Sequence, residues 1–165
     1  MTQISQGIKR QLSLKSLFEY PKHIGFICNQ CGLCCGNTEE KERHVLLLGT
    51  DADRISEETF LEIHQFAENV TGSKMYIYEM KKSKDGKCFF LKNNQCSIYN
   101  IRPLICRFYP FQLKNLGNNR YSFSYTNKCP GIGEGPQHNI RFFENLFRIF
   151  MNTMEENVSE SRLLG

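Results

Sequence analysis

The spacing of hydrophobic residues predicts two strands and one helix in the first half of the chain. Val45–Leu48 is an apolar run of strand length that ends at Gly49. From Ser56, a candidate N-cap, a helical period runs to Gly72, which would end the helix. The apolar positions of this period are Phe60, Ile63, Ala67 and Val70. The next segment, Met75–Met80, has the alternating pattern of a strand and predicts one.

The second half of the chain predicts two hairpins and a long helix. Short Asn-containing turns separate runs of strand length, as they do in tight hairpins. One hairpin joins Lys87–Leu91 to Gln95–Tyr99 through Asn93-Asn94, and the other joins Phe111–Leu113 to Tyr121–Tyr125 through Gly117–Asn119. An amphipathic helix covers residues 138–158 approximately, and we expect its apolar stripe to pack in the core. That stripe consists of Ile140, Phe143, Phe147, Phe150, Met151 and Met154.

Short hairpins, a few helices and irregular cysteine-bearing loops together predict a small α+β fold. Residues 1–20 form a predicted polar lead-in, with one helical turn near Leu12–Tyr20. We expect residues 21–165 to be a single cysteine-cluster domain, because 165 residues suffice for one modest core.

The composition is that of an ordinary folded protein, with 40% hydrophobic and 23% charged residues. The net charge of +4 is unevenly placed, since Lys74–Lys114 holds nine Lys or Arg against two acids, Glu79 and Asp85. This basic middle could attract an anion or an acidic partner. We interpret it as a solvated face that also steadies thiolates, since no recognised nucleic-acid motif accompanies it.

No targeting or membrane segment is visible in the sequence. The first twenty residues lack the apolar run of a signal peptide, and no stretch approaches the ~18 apolar residues of a membrane span. We therefore expect a cytoplasmic protein, where disulfides are disfavoured. Eight cysteines in a reducing compartment point to metal binding.

Four of the cysteines lie within eight residues: Cys28, Cys31, Cys34 and Cys35. Intervals of two residues let neighbouring sulfurs converge on one centre, and the flanking glycines permit the positive φ that such a loop needs. The consecutive pair Cys34-Cys35 is expected to diverge, so that the two sulfurs serve different centres or only one of them binds. The remaining candidate metal ligands are isolated: Cys88, Cys96, Cys106 and Cys129.

The cysteine spacing favours iron over zinc. Structural zinc sites usually show two separate cysteine pairs, whereas only the first loop is paired in this chain. Three cysteines at two-residue intervals resemble the loops of ferredoxins, in which a distant Cys-Pro completes or neighbours the cluster. Cys129-Pro130 offers such a pair. We expect an iron–sulfur cluster of the [4Fe–4S] type, with Zn²⁺ as the alternative; the division of eight thiols among centres stays open.

Two blocks of this sequence resemble a known family. The first is F-x-C-x2-C-G-x-C-C-G, from Phe26 to Gly36; the second runs from Cys88-Phe89-Phe90-Leu91 through Cys96-Ser97-Ile98-Tyr99 and Arg102-Pro103 to Cys106–Phe111. Together they resemble the CxxCxxCC, or YkgJ-type, cysteine-cluster proteins over approximately residues 26–130. The resemblance implies a zinc- or iron-chelating domain. Some relatives are flagellin lysine N-methylases, but this chain lacks the Gly-rich strand-to-helix signature of the common methyl-donor fold.

Other polar residues near the cysteines have two interpretations. Arg102 and Arg107 flank Cys106, where a guanidinium could offset the charge of a thiolate-bound cofactor and tune its potential, or bind an anionic substrate, or else serve only in ion pairs and caps. His23 and His44 bracket the cysteine loop and are the histidines to test as ligands, although such sites prefer sulfur.

Three functions remain open from the sequence. The first is an iron–sulfur protein with a redox or metal-dependent role and a protein or redox partner, without nucleic acid or membrane. The second is a zinc-stabilised binding module that uses the basic middle to meet an acidic or nucleic-acid partner. The third is a protein-lysine N-methyltransferase, implied only by the family resemblance. The residues do not decide whether the protein is an enzyme.

Overall fold

The computed structural model of the protein describes residues 17–73 and 75–163. They form four α-helices and ten short strands in four small sheets, which confirms the predicted α+β class. The chain divides into two compact units. We call the first, formed by Cys28–Tyr109 with Ile149 and the residues after it, the cysteine unit, and the second, formed by residues up to Ile27 with Pro110–Arg148, the aromatic unit.

The helices are α1 (Gly49–Thr59), α2 (Ile63–Phe66), α3 (Leu104–Phe108) and α4 (Ile140–Leu163). The strands are β1 (Phe18–Glu19), β2 (Gly25–Phe26), β3 (Leu46–Leu47), β4 (Ala67–Asn69), β5 (Tyr78–Met80), β6 (Leu91–Lys92), β7 (Gln95–Cys96), β8 (Phe111–Gly117), β9 (Arg120–Tyr125) and β10 (Ile132–Gln137). Two 3₁₀ turns cover Leu33–Cys35 and Tyr99–Ile101. In the described part of the chain, no helix is both long and apolar enough to cross a membrane.

The core of the cysteine unit lies beneath a three-stranded sheet. β5 is central and pairs antiparallel with β3 and β4, with Leu47 opposite Tyr78 and Ala67 opposite Met80. Apolar side chains from the sheet, α1 and the β6–β7 hairpin close the core. Its most buried members are Leu47, Ile55, Phe66, Met80 and Phe90. This core holds the segments that carry the later cysteines.

A buried carboxylate fixes α3 against the start of α1. Asp51 is fully buried, and its two oxygens each lie 3.2 Å from the Leu104 backbone N–H. Arg54 donates to the same carboxylate at 2.7 Å and also to the Arg102 carbonyl oxygen at 3.2 Å. Because a buried charge must be paired and hydrogen-bonded, this network determines where the turn that carries Cys106 can lie.

We predict that Asp51→Ala destabilises the protein by about 3–5 kcal/mol, since it leaves the Leu104 N–H without its acceptor and the partly buried Arg54 without its carboxylate partner. Urea unfolding followed by circular dichroism measures this loss. Asp53→Ala is the matched control, because Asp53 is an exposed acid of the same helix. Equal small effects of the two substitutions would contradict the role given to Asp51.

The single helix predicted from Ser56 to Gly72 is wrong, although Ile63–Phe66 within that range forms α2. Ser56 lies inside α1, whose last residue is Thr59, and Ala67–Asn69 is a strand. The reason is tertiary pairing, because β5 offers hydrogen bonds to residues 67–69 that outweigh the helical period of a short segment. The polypeptide turns away from α1 at Phe60, whose φ of 57° is left-handed.

We predict that Phe60→Gly stabilises the protein by about 0.5–1 kcal/mol, because glycine removes the steric cost of the left-handed conformation at the end of a helix. The Phe60 side chain is 94% exposed, so little packing is lost. Thermal and urea unfolding measure the change. Phe60→Ala serves as control, since it keeps the left-handed strain; a gain with Ala equal to that with Gly would contradict this explanation.

The aromatic unit contains the second predicted hairpin and a further sheet. β8 and β9 pair antiparallel, and Asn118 and Asn119 turn between them with φ of 50° and 57°, as an Asn-Asn turn predicts. β1 adds in parallel to β9, and β10 pairs with β2. Rings of Phe18, Phe111, Phe123, Phe143 and Phe147 contact one another and form the core of this unit.

The C-terminal helix is confirmed as α4, which begins two residues later and extends further than predicted. Its Phe143 and Phe147 are fully buried, as expected for a core-facing stripe. Residues 12–16 of the predicted N-terminal turn lie outside the described residues, whereas Phe18–Glu19 form β1 and not a helical turn. The predicted division at residue 20 stays a prediction.

Candidate metal centre

The first cysteine loop is fastened to the segment that carries Cys88. The Cys88 backbone N–H donates to the Cys35 carbonyl oxygen at 2.6 Å, and the Asn37 N–H donates to the Gly86 carbonyl at 3.0 Å. Gly36 and Lys87 form a β-bridge between these two bonds. The two blocks of the sequence motif are therefore held side by side by backbone hydrogen bonds.

Glycine is required where the loop meets the β6–β7 hairpin. Gly32 has a φ of 74°, and a Cβ there would lie 3.3 Å from both the Asn94 carbonyl oxygen and a Leu91 methyl group. Gly86 has a φ of 71°, and a Cβ there would lie 2.7 Å from the Asn37 side chain. A side chain at either position would push the first loop away from the second block.

The later cysteines of this unit are placed by regular elements. Cys96 ends β7 opposite Leu91, with both the backbone N–H and the hydroxyl of Ser97 donating to the Phe90 carbonyl. Cys106 lies in α3, the helix that Asp51 holds. Cys88, Cys96 and Cys106 all pack partly buried against the apolar core. Their thiols thus occupy a rigid edge of the core rather than a loose loop.

Cys34 and Cys35 point the same way, which corrects the expectation that consecutive side chains diverge. Their sulfurs lie 3.8 Å apart, because the 3₁₀ turn Leu33–Cys35 rotates both side chains to one side. The hydrogen bond from the Cys35 thiol lowers the pKa of Cys34 to about 6, with help from the charges of Arg43 and Arg102. The same bond and burial raise the pKa of Cys35.

Burial and neighbouring thiolates also act on the second block. Burial raises the pKa of the Cys88 thiol to about 11, and it raises the pKa of Cys96 and Cys106, to which the charges of other cysteines contribute. These effects link Cys34, Cys35, Cys88, Cys96 and Cys106, and the charge of Cys28 acts on Cys96. Six of the eight predicted ligands therefore share one electrostatic environment.

The remaining two predicted ligands, Cys31 and Cys129, lie outside this group of six. Cys31 is exposed on the first loop, as is Cys28, whereas Cys129 is a buried residue of the aromatic unit. All eight cysteines are free thiols. Across residues 17–73 and 75–163, no three His, Cys, Asp or Glu side chains already surround a point that could hold a metal ion. The thiols are neighbours whose side chains, or whose exposed loop, would have to move to complete a coordination sphere.

Two arginines supply positive charge to this group of thiols, and one of them was not predicted. Arg102 stacks 3.6 Å from the centre of the Tyr99 ring, and its charge acts on Cys34 and Cys96. Arg43 donates from Nε to the Cys34 carbonyl at 3.1 Å and lies 4.6 Å from the centre of the Tyr109 ring. No sequence spacing marks Arg43, since its position depends on how the loop folds back.

Arg107, the other arginine predicted to bind a cofactor, has a contact of a different kind. Its Nε donates to the Arg102 carbonyl oxygen at 2.7 Å, and burial followed by the charge of Arg54 lowers its pKa. This is a capping contact within the fold. A direct role of Arg107 at the centre stays a prediction, as does that of every predicted ligand.

A thiolate-bound metal suits the chemistry of this donor set. Cys88, Cys96 and Cys106 are partly buried and burial raises their pKa values, so a bound cation would favour their ionisation. In addition, the Arg102 Nε–H is buried and has no acceptor within the described residues, although the Arg102 charge acts on Cys34 and Cys96. A buried N–H without an acceptor is costly, and a metal-bound sulfur would satisfy it.

The two candidate histidines lie elsewhere. His44 contacts the Glu79 carboxylate at 2.7 Å and lies 4.0 Å from Glu42. His23 belongs to the aromatic unit and is exposed. The described contacts of His44 are thus with carboxylates rather than with the cysteines.

We predict that Arg43→Gln lowers metal affinity about tenfold, within the range typical of residues that support metal ligands. The substitution removes the positive charge beside Cys34 while keeping a side chain of similar length. Competition with a chromophoric chelator measures the affinity. Arg120→Gln is the control, because Arg120 makes only an exposed pair with Glu19; equal affinities of the two variants would contradict the prediction.

Comparison with known proteins also indicates a metal-binding cysteine domain. Residues 27–130 match the family model CxxCxxCC, described as "Putative zinc- or iron-chelating domain". The chain is also 29% identical over 108 residues to the uncharacterized protein MJ0661 of Methanocaldococcus jannaschii; the match covers 64% of this chain and 55% of that protein, so the chain spans about half the length of this curated relative. No solved structure matches. Since the family model covers more than half of the chain, the protein belongs to the CxxCxxCC family, and its cysteine cluster binds metal.

Proposed function

We propose that the cysteine unit carries an iron–sulfur cluster with a redox or other metal-dependent role. The observation that supports this most is the six thiols that share one environment beside Arg43 and Arg102. Because a zinc ion and a [4Fe–4S] cluster each use four ligands, six thiols suffice for either, and the two-residue spacing of Cys28, Cys31 and Cys34 is what favours iron. When bound, an iron–sulfur cluster supplies one-electron transfer at a potential set by charge, hydrogen bonds to sulfur and solvent exposure.

The surrounding residues suit that role. Phe90 and Phe108 are buried, and Tyr99 and Tyr109 are partly buried beneath the two arginines, so that aromatic rings exclude water on this side. The unsatisfied Arg102 Nε–H would be available as a donor to the sulfur of a bound cluster. Thiolates from both motif blocks would hold the metal, and the exposed Cys28 and Cys31 would complete the ligand set from the first loop.

We extend the proposal to location and partner. Eight free thiols fit a reducing compartment, which favours the cytoplasm. We expect a protein partner that exchanges electrons with the cluster, rather than nucleic acid or membrane. A zinc-stabilised binding module is the alternative outcome of the test.

Anaerobic purification followed by visible spectroscopy tests the proposal. An iron–sulfur protein is brown, and its broad absorbance bleaches on reduction. The Cys34→Ser variant should lose this colour, whereas Ser97→Ala, a substitution on the same hairpin as Cys96, should keep it. A colourless protein that contains one zinc per chain after the same preparation would rule out the iron–sulfur proposal and support the zinc module.

A further inference from the structure

A cavity of about 270 Å³ opens in the aromatic unit, and no cysteine lines it. Six residues line it: Tyr20, Lys22, His23, Gln137, His138 and Asn139. They come from the turn between β1 and β2 and from the junction of β10 with α4. The backbone joins these two segments, since the His138 N–H donates to the Ile24 carbonyl at 2.9 Å.

The walls of the cavity are held in place by aromatic packing. The His138 ring stacks on Phe142 at 3.8 Å, with 15° between the ring planes, and its Nε2 donates to the Phe26 carbonyl at 2.9 Å. The Tyr20 ring packs against Phe143 at 5.1 Å. Both rings therefore present fixed surfaces to a ligand, and binding would cost little side-chain entropy.

The charge of the cavity is positive and unbalanced. None of its lining residues is acidic, and the Lys22 ammonium has no partner within the described residues. Asn139 caps α4, whose first turn contains Arg141 and no acidic residue. The positive end of a helix normally attracts acidic side chains, so a 24-residue helix whose first turn contains Arg141 and no acid leaves this region short of negative charge.

We propose that this cavity binds a small organic phosphate. The ammonium of Lys22, the amides of Gln137 and Asn139 and the helix end contact the phosphate, while the rings of Tyr20 and His138 contact the organic part. The volume leaves room beside a phosphate for an organic group. The site uses no cysteine and does not depend on the identity of the metal.

Nuclear magnetic resonance of the metal-loaded full chain tests this proposal, with phenyl phosphate, inorganic phosphate and benzoate as probes. We expect saturable shifts of the His23 and His138 imidazole signals with phenyl phosphate, and weaker binding of the other two. Shifts that do not saturate with any of the three probes would overturn the proposal. Benzoate that binds as tightly as phenyl phosphate would overturn the phosphate assignment.

Substitutions separate a built site from general attraction. Lys22→Met should weaken phenyl phosphate binding by at least about tenfold, as expected for loss of one charge-assisted hydrogen bond. Asn139→Asp should abolish binding while the helix stays capped, because Asp caps as well as Asn but repels the anion. Lys114→Met is the control, since Lys114 is an exposed lysine on β8. Equal weakening by Lys22→Met and Lys114→Met would show non-specific attraction and overturn the site.

Discussion

Removal of the metal is expected to unfold the cysteine unit. Apart from α1 and the end of α4, the unit is built from strands of two or three residues, helices of four and five residues and two 3₁₀ turns, which are too short to be stable alone. Structural zinc sites in small peptides supply about 10–16 kcal/mol of folding free energy, similar to the about 5–15 kcal/mol by which whole domains are stable. We therefore expect chelation to lower the free energy of unfolding by at least about 5 kcal/mol.

Circular dichroism during thermal unfolding, with metal analysis of the same sample, measures this effect. The control is the same chelator saturated with zinc before it is added, so that only free chelator removes metal. The apolar core around Phe66 and Met80 could in principle hold the fold without metal. A metal-free protein whose midpoint matches that of the loaded protein would therefore contradict the prediction.

Loss of a single thiol from the second block should be nearly as damaging to metal binding. Cys106 lies in α3 beside the core, where its thiol is influenced by Cys88, Cys34 and Cys96. We predict that Cys106→Ser lowers metal affinity by at least about 100-fold, since even residues that merely support ligands account for 10–100-fold. Metal content after gel filtration and competition with a chelator measure the loss.

Packing must be separated from ligation in this experiment. Ile105→Val is the matched control, because Ile105 neighbours Cys106 in α3 and also packs against the core. Ile105→Val is expected to lower the free energy of unfolding by only about 0.5–1.5 kcal/mol and to leave the metal content unchanged. Equal metal content in Cys106→Ser and in the unsubstituted protein would show that Cys106 is not a ligand.

Features of the fold that depend on local chemistry were predictable. Asn93-Asn94 and Asn118-Asn119 both adopt positive φ at hairpin turns, because Asn tolerates this conformation better than other side chains do. Features that depend on pairing between distant segments of the chain could not be predicted from the sequence. Ala67–Asn69 follows a helical period yet pairs with β5, and β10 escaped prediction because Gly133, Gly135 and Pro136 resemble a loop.

The candidate site also combines features that the sequence predicts with features that only the folded chain creates. The cysteines are visible from their number and spacing, and the Arg102 environment follows from its place beside Cys106. Arg43 and Asp51 could not be found, because each acts through a contact that only the folded chain creates, with the Cys34 carbonyl and the Leu104 N–H respectively. Consecutive Cys34 and Cys35 were expected to diverge because the 3₁₀ turn was not anticipated.

Each of these parts of the molecule contributes to the metal centre in a different way. The backbone joins both motif blocks, the core fixes the later cysteines, and Asp51 holds the helix that carries Cys106. Arg43 and Arg102 place positive charge beside thiols that are costly to ionise. A metal ion bound by these thiolates would explain why all of these features occur together.

The most direct test of the iron–sulfur proposal is the content of iron, acid-labile sulfide and zinc in one anaerobically purified sample, with Mössbauer spectra of the same material. We predict iron and sulfide in equal amounts, spectra of a [4Fe–4S] cluster and no stoichiometric zinc. One zinc per chain, with neither iron nor sulfide, would contradict it.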